Sequence, residues 1–427
     1  MTISELEKQA DFFMRQGNMT EVSKTCHALL NQDENHPSAL DFLCNEAMEK
    51  GKLPEAEKYL LKLVSLMPEN ISLLNKLGYL YEEQGKLEEA LKAYGQCWKL
   101  DKNNPTIYLY MGYLHLKMGQ EDQAAQVFSL GDDIDGRIIK AYMNEACSEK
   151  ISIRSKAAHE ILCKILTNLH MDTISGLDKS DDMKRILDAV WPQVEDRSFS
   201  YKNKIQRPEL FYIPQLHDQV VFKQADLPWA KGLEEKFDVI RDEILTNLSI
   251  TDDGEPYLSE DIGANGSDWD HIVKKMNWAA VHFYKRGVPN EEAIKKYPKT
   301  AGALKEIPFA DIHGLPMEVF ISILKPHTKI PPHFGVSNSP LTVHFPMLVP
   351  ENCGLKAGNE VCEHVEGKVF AFDDSYLHEA WNDSDEPRVV LIFEVWHPDL
   401  TEPEKQAVRA TFTAREKWLE ERSMGIV

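Results

Sequence analysis

Small and large apolar residues recur at a fixed interval along the first third of the chain. Glycines stand at Gly17, Gly51, Gly85 and Gly119, each 34 residues from the next. Five residues after the last three comes an alanine (Ala56, Ala90, Ala124), and nine after them a large apolar residue (Leu60, Tyr94, Phe128). Another glycine, Gly78 or Gly112, precedes two of them by seven residues. The first copy departs from the pattern, with Val22 at the small position. Companions that keep a strict period describe one supersecondary unit repeated. Small residues let two antiparallel helices approach, the glycine between them permits the turn, and larger side chains fill holes left by the next hairpin. From about residue 136 the repeat fades, yet helical periodicity continues through IIKAYMNEA, KAAHEILCKILTNLH and DDMKRILDAVW, as a cap over the last exposed apolar face would require. The polar stretch EDRSFSYKNKIQRPE reads as a link to the next domain.

Beyond residue 205 the pattern changes. A helix is predicted over WAKGLEEKFDVIRDEIL, and then short β-branched and aromatic runs dominate: NWAAVHFY, MEVFISIL, LTVHFPMLV, KVFAF and RVVLIFEVW, divided by Gly, Pro, Asn and Asp. Several short strands with such punctuation predict an antiparallel barrel or jelly roll. Thr401 and Glu404 form a capping box for a final helix, EKQAVRATFTAREKWLEER. The helical repeat resembles the tetratricopeptide repeat. The fold class expected is therefore multidomain α plus β: a repeat solenoid over 1–135, a helical cap and linker over 136–204, and a β-rich domain with a C-terminal helix over 205–427.

Length and composition agree with this division, since 427 residues exceed one ordinary core, and 43% apolar with 27% charged residues is usual for a globular protein. The net charge of −21 argues against nucleic acid and anionic membranes as partners. No basic segment followed by an apolar run opens the chain, and no apolar run is long enough for a membrane span. Seven cysteines lack CxxC or framework spacing, which suggests reduced thiols and a cytoplasmic protein. Cys353 and Cys362 could meet across a hairpin, but two buried thiols is the reading preferred.

The β-rich part carries the candidate chemistry. His333 stands in PPHFG before a turn and a strand, His378 follows 45 residues later in DDSYLHEAW, and Arg388 comes ten residues after that. Taken alone, a histidine is more often structural than a ligand, and Arg388 after DSDEP could be a surface ion pair. A jelly roll, however, would bring these strands together. Two imidazoles suit Fe(II) with open positions, and an arginine offers a planar fork to a carboxylate. Together they describe a site for Fe(II) and 2-oxoglutarate. The carboxylate usual two residues after the first histidine is absent, because Gly335 stands there. Asp374, four residues before His378, is expected to hydrogen-bond a metal-bound water and so orient it. Asp373 is expected only to form a turn.

The run from RPELFYIPQL through ISILKPHTKIPPHFGVSN, VEGKVFAFDDSYLHEAWN and RVVLIFEVWHPDL resembles the aspartyl/asparaginyl β-hydroxylase family over about residues 205–400. The resemblance implies a double-stranded β-helix and an iron centre of two histidines without the usual carboxylate, in accord with Gly335. It implies His333 and His378 as ligands, and Arg388 and Ser322 at the distal carboxylate of 2-oxoglutarate. It further places His344 near the chelating end and Trp278 beside the cosubstrate. The family's arginine two residues before His344 is here Thr342, and its upstream cysteine pair is absent from AIKKYPKT. The activity implied is hydroxylation of the β-carbon of Asp or Asn in a protein or peptide, with the repeats widening the substrate groove. The rival readings are a non-catalytic scaffold that recruits partners through the repeats, a hydroxylase of a small molecule or lipid, and, more remotely, a halogenase using the space at Gly335.

Overall fold

The computed structural model describes residues 1–177, 183–192, 199–258 and 268–422. It divides into two compact units, one of Met1–Ile165 with Trp418–Val427 and the other of Leu166–Lys417. The first unit holds four helical hairpins: α1 (Ile3–Arg15) with α2 (Met19–Gln32), α3 (Pro37–Glu49) with α4 (Leu53–Leu66), α5 (Ile71–Glu83) with α6 (Leu87–Leu100), and α7 (Pro105–Lys117) with α8 (Glu121–Ile134). The four periodic glycines end the first helix of each pair at φ +69°, +68°, +73° and +77°, a left-handed conformation that glycine adopts without a Cβ penalty. Gly78 and Gly112 have a different role. A Cβ on either would come within 2.6 Å of the ring of Tyr94 or Phe128, so the small and large positions are a hole and its knob within one hairpin, and not, as expected, between neighbouring hairpins. In the second repeat the corresponding pair is Cys44 and Leu60, a larger floor under a smaller knob.

Beyond the hairpins, IIKAYMNEA gives a 3-10 turn at Ile138–Met143, and KAAHEILCKILTNLH lies in the long helix α9 (Glu149–Ser175). The start of α9 packs on the first helices of the third and fourth hairpins. Lys150 Nζ lies 3.1 Å from the centroid of the Tyr79 ring, and the Arg154 guanidinium 4.7 and 5.0 Å from those of Tyr110 and Tyr113. Arg154 also pairs with Glu82 at 2.7 Å, and the Tyr94 hydroxyl donates to the other Glu82 oxygen at 2.8 Å. That stretch of the repeat surface is thus filled by the chain's own helix. Tyr94→Phe removes one hydrogen bond to a buried carboxylate, and a loss of about 1.5 kcal/mol is expected. Urea unfolding checks this, and an unchanged midpoint would show the hydroxyl to be idle.

The second unit contains two antiparallel sheets. The strands are β1 (Val221–Lys223), β2 (Glu255–Pro256), β3 (Trp278–Lys285), β4 (Val288–Pro289), β5 (Glu318–Leu324), β6 (Thr328–His333), β7 (Pro340–Leu348), β8 (Cys353–Ala357), β9 (Glu360–Cys362), β10 (Phe370–Phe372), β11 (His378–Asn382) and β12 (Arg388–Trp396). The large sheet runs β1-β10-β7-β12-β5-β3-β2 with β4 beside β3, and the small one β6-β11-β8-β9. All five expected strands are present as β3, β5, β7, β10 and β12. Among the described residues no strand pairing joins the sheets, so the expected barrel is not closed by a backbone ladder. The helices are α10 (Lys184–Leu187), α11 (Ala230–Glu234), α12 (Phe237–Asn247), α13 (Glu291–Lys296), α14 (Pro298–Ala303) and α15 (Glu402–Arg422). The single helix expected over WAKGLEEKFDVIRDEIL is two, because the chain tightens through a bond from Lys236 N–H to the Leu233 carbonyl. DDMKRILDAVW contributes only the short α10; its first two residues, and 195–198 of the expected linker, lie outside the described residues. The capping box of α15 forms as expected, with Thr401 N–H donating to Glu404 at 2.9 Å and Glu404 N–H to the Thr401 hydroxyl at 3.4 Å.

Period-2 alternation gives the large sheet two distinct faces. Val389, Leu391, Phe393 and Val395 of β12, with Val319, Ile321 and Ile323 of β5, join a core that includes Ile240 and Ile244 of α12. The residues between them face the other way. On that inner side, Trp278, Leu324, Phe370 and Phe372 of the large sheet pack with Ile330, Leu355, Ala357 and Ala380 of the small one. Every candidate on β3, β5, β7 and β12 has the parity of this inner face.

Candidate active site

The ladder of the large sheet sets the order of the candidates. Arg388 pairs with Leu324, and Leu324 with Trp278. Two residues along, Val390 pairs with Ser322. Two further, Ile392 pairs with His344, and two further again Glu394 pairs with Thr342. Same-face neighbours along a strand are about 6.6 Å apart, so Arg388 and Thr342 lie toward opposite ends of one face, with Ser322 and His344 between.

Facing them, the small sheet brings His333 and His378 together. These two residues are direct partners where β6 meets β11, and a bulge follows between His378 and Ala380. Their rings lie 4.0 Å apart between centroids. His333 Nδ1 is 2.8 Å from the Pro331 carbonyl, and His378 Nδ1 is 2.9 Å from the Tyr376 carbonyl. A carbonyl only accepts, so each Nδ1 carries the proton and each Nε2 keeps its lone pair, the form in which imidazole binds a metal. Burial, with the neighbouring His378 ring, holds His333 down to about 3, and burial also lowers His378. Neither ring is an imidazolium at neutral pH. Among the described residues no three His, Cys, Asp or Glu side chains are grouped to hold a metal ion, so the donor set on offer is this pair of imidazoles.

Gly335 and Asp374 share one space. A Cβ on Gly335 would lie 2.2 Å from Asp374 Oδ1 and 2.3 Å from its Cγ. The Asp374 carboxyl therefore fills the room a side chain at 335 would need. Gly335 N–H donates to the Asp374 carbonyl at 2.7 Å, and the Thr342 hydroxyl to Asp374 Oδ2 at 3.1 Å. Asp374 Oδ1 is buried without a hydrogen-bond partner. Burial raises this carboxyl to about 7, opposed by the Thr342 bond. Asp373 points elsewhere: it accepts from Ser375 N–H at 3.0 Å and from Gln206 at 3.0 Å, holding the turn as expected.

Arg388 is 2% exposed, so the surface ion pair considered from sequence does not form. Its guanidinium donates to the Gly354 carbonyl at 3.2 Å, and among the described residues no carboxylate pairs with it. Burial alone pulls it down to about 10. Trp278 Nε1–H donates to the Ser322 hydroxyl at 3.1 Å, and Tyr257 stacks on the indole at 4.1 Å between centroids. His344 Nδ1 shares a hydrogen bond of 3.1 Å with His364 Nε2.

Sequence reasoning missed Tyr257, His364 and Glu394. Glu394 shares the row of Thr342 and is raised to about 8 by burial and by the charges of Asp374 and Glu318. Its inward parity in RVVLIFEVW was a usable signal; nothing in EPYL or CEHVEGK marked the other two. All described cysteines are free thiols. Cys362 is buried as expected, but Cys353 is half-buried, and β8–β9 pairing sets Leu355 rather than Cys353 opposite Cys362. Among the described residues no helix is long and apolar enough to cross a membrane.

Residues 234–398 match the family model of aspartyl/asparaginyl beta-hydroxylase, and residues 83–119 match a TPR repeat model. The chain is 33% identical to the aspartyl/asparaginyl beta-hydroxylases of Mus musculus and Homo sapiens over 183 residues, 42% of its length, but this spans only 23% and 22% of those proteins. It is 30% identical to the ornithine lipid ester-linked acyl 2-hydroxylase of Rhizobium tropici over 228 residues, 53% of this chain and 73% of that one. The chain belongs to the aspartyl/asparaginyl β-hydroxylase family and carries tetratricopeptide repeats ahead of its family domain.

Proposed function

We propose that the chain is an Fe(II)- and 2-oxoglutarate-dependent dioxygenase that hydroxylates the β-carbon of Asp or Asn in a protein or peptide. The observation that carries this reading is Arg388: a buried guanidinium with no carboxylate beside it among the described residues, on the face opposite two imidazoles in metal-binding form. A buried charge left unpaired is costly, so this face of the sheet suits an anionic ligand. A dicarboxylate that also chelates a metal meets both features.

Fe(II) held by Nε2 of His333 and His378 would supply dioxygen activation coupled to decarboxylation of 2-oxoglutarate to succinate and carbon dioxide, and so oxidation of a substrate C–H bond. Arg388 and Ser322 anchor the distal carboxylate, and His344 meets the chelating end. Trp278, backed by Tyr257, walls the cosubstrate from water. Asp374, with Oδ2 held by Thr342 and Oδ1 unpartnered, would accept a hydrogen bond from water beside the two imidazoles and so orient it. The two sheets would form the family's double-stranded β-helix, with 205–427 as the oxygenase domain behind the repeats (1–135) and the helical segment (136–204). The repeats would guide a protein substrate through the part of their surface that α9 leaves uncovered.

A second reading keeps the chemistry and changes the substrate. The Rhizobium tropici relative is named for an ester-linked acyl group of ornithine lipid and is aligned over most of its length, which favours a lipid acyl chain. One experiment separates these. The protein is loaded with Fe(II) without oxygen, given 2-oxoglutarate and then oxygen, and succinate is followed with Asp- or Asn-containing peptides or with acyl lipids in micelles. Succinate coupled to one added oxygen on a peptide Asp or Asn is the expected result. The same coupling on lipid alone would replace the peptide reading, and failure to bind Fe(II) would leave a scaffold.

A further inference from the structure

We propose that His364 is a positioning residue for the cosubstrate, holding His344 so that its Nε2 meets the chelating-end carboxylate of 2-oxoglutarate. The inference rests on the reading of this pocket as a 2-oxoglutarate site, and its ground is the geometry around His344. His364 lies between β9 and β10, outside the strands that carry the other candidates. Its Nε2 is 3.1 Å from His344 Nδ1, and the two rings are 5.3 Å apart between centroids. Both also pack on Phe370, at 5.3 and 5.0 Å. Nδ1 of His344 is thereby committed, which leaves Nε2 as its one nitrogen for a ligand. His364 Nδ1 is buried with the Cys362 main chain near the ring, and Nε2 makes the one well-formed hydrogen bond of this side chain, the one to His344.

The need for such support follows from position 342. That residue lies two before His344 on the same strand face, where the family carries an arginine, and here it is threonine. The Thr342 hydroxyl is engaged with Asp374 at 3.1 Å, so neither a charge nor a free hydroxyl reaches the carboxylate from there. His344 is left to orient it alone. With His364 Nε2–H donating to His344 Nδ1, the His344 ring is held in one orientation and its Nε2 carries the proton that a carboxylate accepts, so this hydrogen bond loses little freedom on forming.

The test is 2-oxoglutarate binding to the Fe(II)-loaded protein, followed by calorimetry without oxygen and therefore separate from turnover. His364→Phe is expected to bind 2-oxoglutarate about tenfold more weakly, as loss of one supporting hydrogen bond implies, with Fe(II) affinity unchanged. His364→Gln, whose amide can still reach His344, should recover most of the loss. Thr342→Arg should gain more in the His364→Phe background than in the natural sequence, because the two devices serve one carboxylate. Wild-type affinity in His364→Phe, or a His364→Gln as weak as His364→Phe, would overturn the proposal. Wild-type protein that binds Fe(II) but no 2-oxoglutarate would instead overturn the cosubstrate reading, and this proposal with it.

Discussion

Replacing Arg388 with methionine should abolish measurable use of 2-oxoglutarate while making the ligand-free protein more stable. The two signs have one cause. Without a ligand the guanidinium is 2% exposed, donates to one backbone carbonyl, and is drawn down to about 10 by burial. Methionine fills similar volume without a charge to desolvate, and such replacements of buried charges are often stabilising by about 1–2 kcal/mol. With the proposed dicarboxylate bound, the same guanidinium would become half of a buried charge pair, and truncating such a partner costs about 2–5 kcal/mol, or roughly 30-fold to several thousandfold in affinity. Thermal melts with and without 2-oxoglutarate show both effects. Wild-type protein should start lower and rise with ligand, as any ligand selective for the folded state requires, whereas Arg388→Met should start higher and stay there. A ligand-free variant less stable than wild type would mean that the arginine serves to tie β12 to the Gly354 carbonyl.

Much of this architecture could be read from periodicity. The 34-residue interval located each hairpin, and its small and large members proved to be contacting pairs, Gly78 with Tyr94 and Gly112 with Phe128. Alternation in RVVLIFEVW already sets Arg388 and Glu394 on the face opposite Leu391 and Phe393, although only Arg388 was singled out from the sequence. The strands of the small sheet were harder to find. HEAWN is short and half polar, and β8 and β9 sit among glycine, asparagine and charge, so the pairing that aligns His333 with His378 has no local signature. Contacts made across the fold leave still less trace. Lys150 and Arg154 look like ordinary solvent-facing cations on a helix, yet each lies against a tyrosine ring of the repeats. His364 is equally anonymous until β9 and β10 bring it to His344.

Gly335 and Asp374 illustrate the same limit and lead to the second large effect. A glycine at this position reads from sequence as a missing ligand, but in the fold its space is occupied: an added Cβ meets Asp374 Oδ1, Cγ and Oδ2 at 2.2, 2.3 and 2.6 Å. The carboxylate cannot swing aside freely, because the Gly335 N–H holds its main chain and the Thr342 hydroxyl its Oδ2. Gly335→Ala should therefore destabilise the fold by about 1–3 kcal/mol as an overpacked site. It should also cut turnover about 100-fold, since displacing a catalytic group by about 1 Å can cost that much. Asp374→Ala alone should lower turnover but leave room for the new methyl, so adding Gly335→Ala to it should change stability little. The coupling between the two substitutions, read from urea unfolding of the four proteins, is then of the same size as the cost of Gly335→Ala itself. Equal destabilisation with and without the Asp374 carboxylate would place the strain in the backbone at 335, and the glycine would owe its presence to the turn after β6 and not to a carboxylate supplied from 39 residues further along the chain.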